Sequence, residues 1–320
     1  MDDAAERHGA DAEAHRRSLL TVVVIGSTGQ LGSDLVEAFA AGAGGAGSRP
    51  PVHVHGLAHE DMDIGDAAAV RRVLAELGPD VVVNTAAFHN VPKCETDVDQ
   101  AYALNAVAPR RLARVCKEIG ARLVHVSTDY VFDGAKQTPY VETDRAMPLN
   151  VYGVSKLAGE HEVLGADGNH QVVRSSGLYG LRPCRAKGGN FIDTMYRVAA
   201  QQPEVRVVND EVLTPTFTAD LAEQIRVLAL EGHPGLFHAT NQGSCSWYEF
   251  ARAIFDLGGL TTPLRPTSVQ DFAAPVRRPF YSVLENAALA AARLDRMRHW
   301  RDALADYMNR RTARADVAAH

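Results

Sequence analysis

Leu19-Leu-Thr-Val-Val-Val-Ile25 runs directly into Gly26-Ser-Thr-Gly-Gln-Leu-Gly32, and a helical pattern follows from Ser33 to about Gly42. A β-branched apolar run of this kind reads as a strand buried on both faces. Glycines between such a strand and a helix supply the dihedrals of a tight turn and let backbone approach a pyrophosphate closely. The helix start adds free N–H groups and partial positive charge. The three-and-three spacing differs from the two-and-three spacing of the commonest dinucleotide fingerprint, and a purely structural turn is the bland reading.

The same alternation continues. Strands are expected at 52–57, 80–84, 122–127 and 171–175, with helices at 66–77, 97–119 and 152–164. Asp66 is the expected cap of the first of these helices, and Gly78-Pro79 its stop. Such a chain folds as α/β, a doubly wound parallel Rossmann-type sheet. Helices at 190–202, 218–231, 246–257 and 298–311 belong mainly to a smaller C-terminal substrate lobe, with Trp247, Trp300, Phe250, Ile254 and Leu304 as its core. The expected division is a disordered leader at 1–18, a dinucleotide domain at 19–177 with contributions from about 215–242, and a lobe at 178–312. The glycine-rich stretch 41–48 reads as a flexible loop.

Charge and length remove other classes. A formal net charge of −6 suits neither DNA nor RNA as partner. No apolar run approaches the roughly 18 residues of a membrane helix, and residues 1–17 lack the apolar stretch of a signal peptide. The 4 cysteines are widely spaced, and the 13 histidines show no His-x-x-x-His pattern, so no metal is expected. These features suggest a cytoplasmic protein with free thiols.

Tyr152-Gly-Val-Ser-Lys156 places a phenol and an ammonium one helical turn apart on one face. The ammonium stabilises the phenolate left after proton donation, which suits carbonyl reduction. The strand at 122–127 ends in Ser127-Thr128-Asp129-Tyr130, at the edge where a parallel sheet meets its ligand. A Thr128 hydroxyl there would aim at the same oxygen as Tyr152. The second strand ends Gly56-Leu-Ala-His59 with neither an acid for the NAD ribose nor an arginine, a lean towards NADP. Asp63 and Ile64 fall either beside the adenine or, for Asp63, in a loop capping the next helix.

These segments carry a resemblance to a known family. Gly-Ser-Thr-Gly-Gln-Leu-Gly (26–32), Asp-Val-Val-Val-Asn-Thr-Ala-Ala (80–87), Ser-Thr-Asp-Tyr-Val-Phe-Asp-Gly (127–134) and Pro-Leu-Asn-Val-Tyr-Gly-Val-Ser-Lys-Leu-Ala-Gly-Glu (148–160) resemble an extended short-chain dehydrogenase/reductase. Within that superfamily they resemble the dTDP-4-dehydrorhamnose reductase family. Gly-Asn-Phe-Ile (189–192), Pro-Thr-Phe-Thr-Ala-Asp-Leu-Ala (215–222) and Arg-Pro-Phe-Tyr-Ser-Val-Leu (278–284) extend the match over roughly residues 20–310. The resemblance implies hydride transfer from NADPH or NADH to the 4-keto carbon of a nucleotide sugar. It implies Thr128, Tyr152 and Lys156 as the catalytic group, with Tyr152 and Lys156 also touching the cofactor. Further cofactor contacts are implied at Gly26, Thr28, Gly29, Gln30, Leu31, Asp63, Ile64, Ala86 and Ala87. Substrate contacts are expected at His89, Thr128, Asp129 and Asn190. His89 is alternatively a solvent-facing loop residue, and Arg278, beside Asn190 as a contact to the diphosphate, is alternatively a structural ion pair. Monomer and homodimer are both open.

Two departures bear on the substrate. Gly177 stands where the family usually has Trp, and Phe88-His-Asn-Val-Pro-Lys93 differs from the commoner pattern. Alternatives to a reductase are a sugar epimerase with tightly held NAD and a non-catalytic NADP-binding subunit, as in the methionine adenosyltransferase β subunit, which shares the fold. Dehydration is disfavoured because related dehydratases carry Glu where Tyr130 stands.

Overall fold

The computed structural model describes residues 19–41, 51–166, 168–183, 188–272 and 276–318. The expected leader, all but the start of the 41–48 loop, and Cys184 lie outside the described residues.

Six strands form the central sheet: β1 (Leu20–Ile25), β2 (Val52–Leu57), β3 (Val81–Asn84), β4 (Arg122–Thr128), β5 (Gln171–Ser175) and β10 (Gly235–His238). Their order is β10-β5-β4-β3-β1-β2, and every pairing is parallel. The alternation of β1 explains its apolar run. Val22 and Val24 pack on one face with Leu31, Leu35, Leu221 and Ile225. Val23 and Ile25 pack on the other with Val70, Leu74, Leu112 and Val163. A strand buried on both faces cannot alternate with polar residues.

Helix α1 (Gln30–Ala41) covers the first face together with α8 (Thr218–Glu231). The second face carries α2 (Ala67–Leu77), α5 (Ala108–Ile119) and α6 (Val151–Leu164). Asp66 caps α2 by accepting from the Ala68 and Ala69 amides, and Gly78 ends it in the left-handed conformation. The single helix expected at 97–119 is instead α4 (Val98–Tyr102), a π-helical turn (Ala103–Val107) and α5. Pro109 supplies the reason, since it has no N–H for the carbonyl of Asn105 four residues back. A short helix, α3 (Val91–Thr96), precedes them, capped by the Asn90 side chain.

The lobe contains α7 (Phe191–Gln201), α9 (Trp247–Gly258) and α11 (Trp300–Ala318). They close around Tyr179, Phe217, Phe250, Trp300 and Tyr307. Three small ladders trim it: β6 (Leu178–Tyr179) with β9 (Thr216–Phe217), β7 (Val205–Val208) with β12 (Leu264–Thr267), and β8 (Val212–Leu213) with β11 (Cys245–Ser246). Among the described residues no helix is long and apolar enough to cross a membrane.

Candidate active site

Neighbours in the sheet diverge between β1 and β3, so the connections from these strands leave in opposite directions and open a crevice at their carboxyl ends. Gly26 turns the chain there at φ +81. A Cβ on Gly32 would lie 2.0 Å from the Gly26 carbonyl oxygen, so α1 packs against the turn only because residue 32 has no side chain. The first turn of α1 contains no acid, and its first amides have no partner within the helix. This cradle fits an anionic group such as the diphosphate of a dinucleotide.

The expected cofactor residues divide by position. Thr28 is exposed and Gly29 partly buried at the mouth of the turn. Gln30 reaches across to the Gly180 carbonyl at 3.5 Å, whereas the Leu31 side chain is in the core. Ala86 and Ala87 follow β3 on the opposite wall and are partly exposed. Asp63 is exposed and its carboxylate accepts from the Gly65 amide at 2.8 Å. The Ile64 side chain is only 5% exposed and packs with Met62 and Val70, leaving its backbone for any contact with a ligand.

Thr128 and Tyr152 are hydrogen-bonded where β4 ends and α6 begins, and Lys156 follows one turn later on α6. The Asn150 side chain caps α6 by accepting from the Gly153 amide. Gly153 allows the approach: a Cβ there would lie 2.2 Å from the Tyr130 carbonyl oxygen. The helix therefore lies against the short 3-10 turn Asp129–Val131 that follows β4. The Tyr152 hydroxyl is pushed up by burial, and a hydrogen bond with Thr128 opposes that push. Thr128 Oγ1 also accepts from the Tyr130 amide at 3.2 Å and donates to Asp129 at 3.0 Å. The Tyr130 ring stands edge-on to Tyr152 at 5.7 Å.

Lys156 is 2% exposed. Its Nζ donates to the Val126 carbonyl at 2.7 Å and lies 3.2 Å from His125 Nε2. Burial pulls the ammonium down to about 8, with Glu160 opposing. Behind it, His125 Nδ1 accepts from the Asn84 amide at 3.1 Å. Glu160, one turn beyond Lys156, pairs with Arg174 at 2.6 Å and accepts from Ser127 at 2.5 Å. His125, Asn84, Glu160 and Arg174 were not among the expected residues. For Asn84, His125 and Arg174 the signal was present as polar side chains inside otherwise apolar strands, where burial demands a partner.

Asp129 is 4% exposed, is raised by burial, and accepts from the Ser176 hydroxyl at 2.8 Å. His89 lies partly buried at the crevice, with Nδ1 3.1 Å from the Ala87 carbonyl. Asn190 is engaged as the cap of α7 in a capping box, and its amide also donates to Gly180 and Tyr307. Arg278 is exposed and faces both Tyr130 and the buried Glu211 electrostatically. Gly177 has φ +56, and a Cβ on it would lie 2.8 Å from Leu213 Cδ1. Among the described residues no group of three or more His, Cys, Asp or Glu side chains is placed to hold a metal.

Residues 20–313 match the family described as the RmlD substrate binding domain. The chain is 38% identical over 296 residues to the spore coat polysaccharide biosynthesis protein SpsK of Bacillus subtilis, covering 92% of this chain and 99% of that protein. It is 42% identical over 290 residues to a dTDP-4-dehydrorhamnose reductase of Mycobacterium tuberculosis, covering 89% and 91% respectively. The crystal structure of a dTDP-4-dehydrorhamnose reductase from Bacillus anthracis, in complex with NADP, superposes with a TM-score of 0.83 at 33% identity, covering 91% of this chain and 99% of that one.

Proposed function

Because the chain belongs to the RmlD substrate-binding-domain family, we propose that it is an NADPH-dependent reductase of the 4-keto group of a dTDP-activated deoxysugar. The observation that carries this reading is the Thr128–Tyr152 hydrogen bond at the end of β4, with Lys156 one turn further along the same helix and a glycine cradle at the end of β1. NADPH is preferred over NADH because the crystal structure of a relative of 33% identity is a complex with NADP. The lobe built on α7, α9 and α11 takes the nucleotide sugar, and the enzyme works as a monomer or homodimer in the cytoplasm.

A bound nicotinamide dinucleotide supplies the hydride. Gly26, Thr28, Gly29, Gln30 and Leu31 hold its diphosphate side, and Ala86 and Ala87 form the wall opposite. Tyr152 donates its hydroxyl proton to the substrate oxygen as the carbonyl becomes an alcohol. Thr128, its hydroxyl hydrogen turned from Asp129 to the substrate, donates a hydrogen bond to the same oxygen and thereby stabilises the developing negative charge. Lys156, charged, stabilises the phenolate that remains. Its charge is lost as pH rises through about 8 while the Tyr152 hydroxyl, raised by burial, keeps its proton. The rate should therefore fall on the alkaline side near that pH.

The test is consumption of NADPH with dTDP-4-keto-6-deoxysugars. Tyr152→Phe should lower the rate by about 10²–10⁴-fold. A wild-type rate no greater than that of Tyr152→Phe rejects the reading. Purification with tightly held NAD and turnover without net cofactor consumption would instead indicate epimerisation.

A further inference from the structure

The side chain of Asn84 sits at the end of β3 with its Oδ1 accepting from the Ala86 amide at 3.1 Å. A backbone N–H can only donate, so the atom that faces it is the carbonyl oxygen. The amide's other end, Nδ2, therefore points at His125 Nδ1, 3.1 Å away, and donates to it. A neutral imidazole that accepts at Nδ1 carries its proton on Nε2. That Nε2 lies 3.2 Å from Lys156 Nζ. Burial keeps His125 neutral, and the neighbouring lysine reinforces this.

We propose that His125, with its tautomer fixed by Asn84 and the Ala86 amide, is a positioning residue that presents an N–H to Lys156 and so favours the uncharged amine. An amine in that position accepts from His125, donates one hydrogen to the Val126 carbonyl at 2.7 Å and keeps one further hydrogen. An ammonium in the same place sets donor against donor, unless the imidazole proton moves to Nδ1. That move would place two donors face to face at Asn84. The charge on Lys156 is thus governed from behind, by residues that do not reach the crevice: Asn84 and His125 are both fully buried.

Burial lowers the amine first, and His125 adds to it; the other groups nearby oppose or are engaged elsewhere. Tyr152 lies one turn before Lys156 on α6, with Asp129, Tyr130 and Cys94 beyond it. Glu160 lies one turn after and favours the ammonium. Its carboxylate is tied to Arg174 of β5 and to Ser127 of β4, which spend its charge elsewhere.

The inference rests on the reductase reading for its kinetic consequence only, so its test has an independent arm. In purified protein labelled with 15N-histidine and without added nucleotide, the His125 signal should be that of an Nε2–H imidazole. Asn84→Asp replaces the donor with an acceptor, and the proton should move to Nδ1. In the rate profile, His125→Gln can turn its side-chain oxygen to the ammonium, and the alkaline limb should move up by about one pH unit. Asn84→Asp should shift it in the same direction. A wild-type Nδ1–H imidazole overturns the proposal, as does a His125→Gln enzyme slowed equally at every pH with its limb unmoved. If His125→Gln does not fold, the wild-type and Asn84→Asp spectra decide. If no keto-sugar is reduced, the spectra still decide the tautomer, and only the reductase reading fails.

Discussion

Arg174 and Glu160 meet with almost no water around either: their side chains are 4% and 2% exposed. Three hydrogen bonds join them, and Ser127 fills a further lone pair of the carboxylate. The pair spans β5 and α6, so it holds the helix that bears Tyr152 and Lys156 against the sheet. Breaking one partner of a buried pair leaves the other charge uncompensated. Arg174→Met should lower stability by about 3–5 kcal/mol, read as a drop in the urea midpoint. The double variant Arg174→Met, Glu160→Leu should recover much of that loss. A single variant as stable as wild type would show that the pair does not anchor α6. Tyr152 and Lys156 were legible in the sequence because their chemistry and spacing are local. Glu160 belongs to the same segment, yet its partner lies on β5, and no local pattern names it.

Helix α6 is placed by two glycines rather than by its apolar residues alone. Gly153 admits the Tyr130 carbonyl, and Gly159 admits that of Asn105, where an added Cβ would lie only 2.1 Å away. The second carbonyl is the one released from helical bonding by Pro109, so a break in the 98–119 region is what brings α6 close. Gly159→Ala should push the helix from the π-helical turn without touching any catalytic side chain. The expected result is a lower melting temperature and a fall of kcat larger than the rise of KM, since the proton donor is displaced. Unchanged kcat in a folded Gly159→Ala protein would show that the contact does not set the position of α6. A similar argument covers Gly177, where the family resemblance leads to the expectation of Trp. Gly177→Trp places a bulky residue at φ +56 against Leu213 and the Thr214 carbonyl, so it should destabilise the protein rather than restore an aromatic wall. The thermal midpoint checks this, and a rise would refute it. The helix expected at 97–119 hid its break because the apolar period continues through Pro109, and a single proline in an otherwise helical pattern does not reveal a π turn.

At the scale of the molecule, alternation of strands and helices made the parallel sheet readable, because a strand buried on both faces must be apolar throughout. The lobe was less readable. Its ladders are two to four residues long, and their pairings join segments far apart, such as Val205 with Leu264. The two halves are sewn together by buried polar groups, and His238 is one of them. It sits on β10, with Nδ1 3.1 Å from the Tyr140 carbonyl and 3.2 Å from that of Glu285, both outside the sheet. Burial and the nearby Arg174 hold its imidazole down to about 3. A histidine whose folded pKa is depressed is neutral in the folded protein and takes up its proton on unfolding. Its stabilising effect is therefore present above the unfolded value of about 6.5 and is lost as pH falls towards 3. Between pH 7.5 and 5.0 this amounts to about 2 kcal/mol for one such residue. His125 acts in the same direction, being lowered by burial as well. Asp129 and Glu211 act oppositely, since burial raises both, and protonation on acidification relieves their cost. Subtraction isolates the histidine: the urea midpoint should fall on acidification in wild type, and His238→Gln should be less stable at pH 7.5 but show a shallower slope. Parallel slopes for the two proteins would mean that His238 is protonated in the folded state, and that the strap from β10 to residues 140 and 285 tolerates its charge.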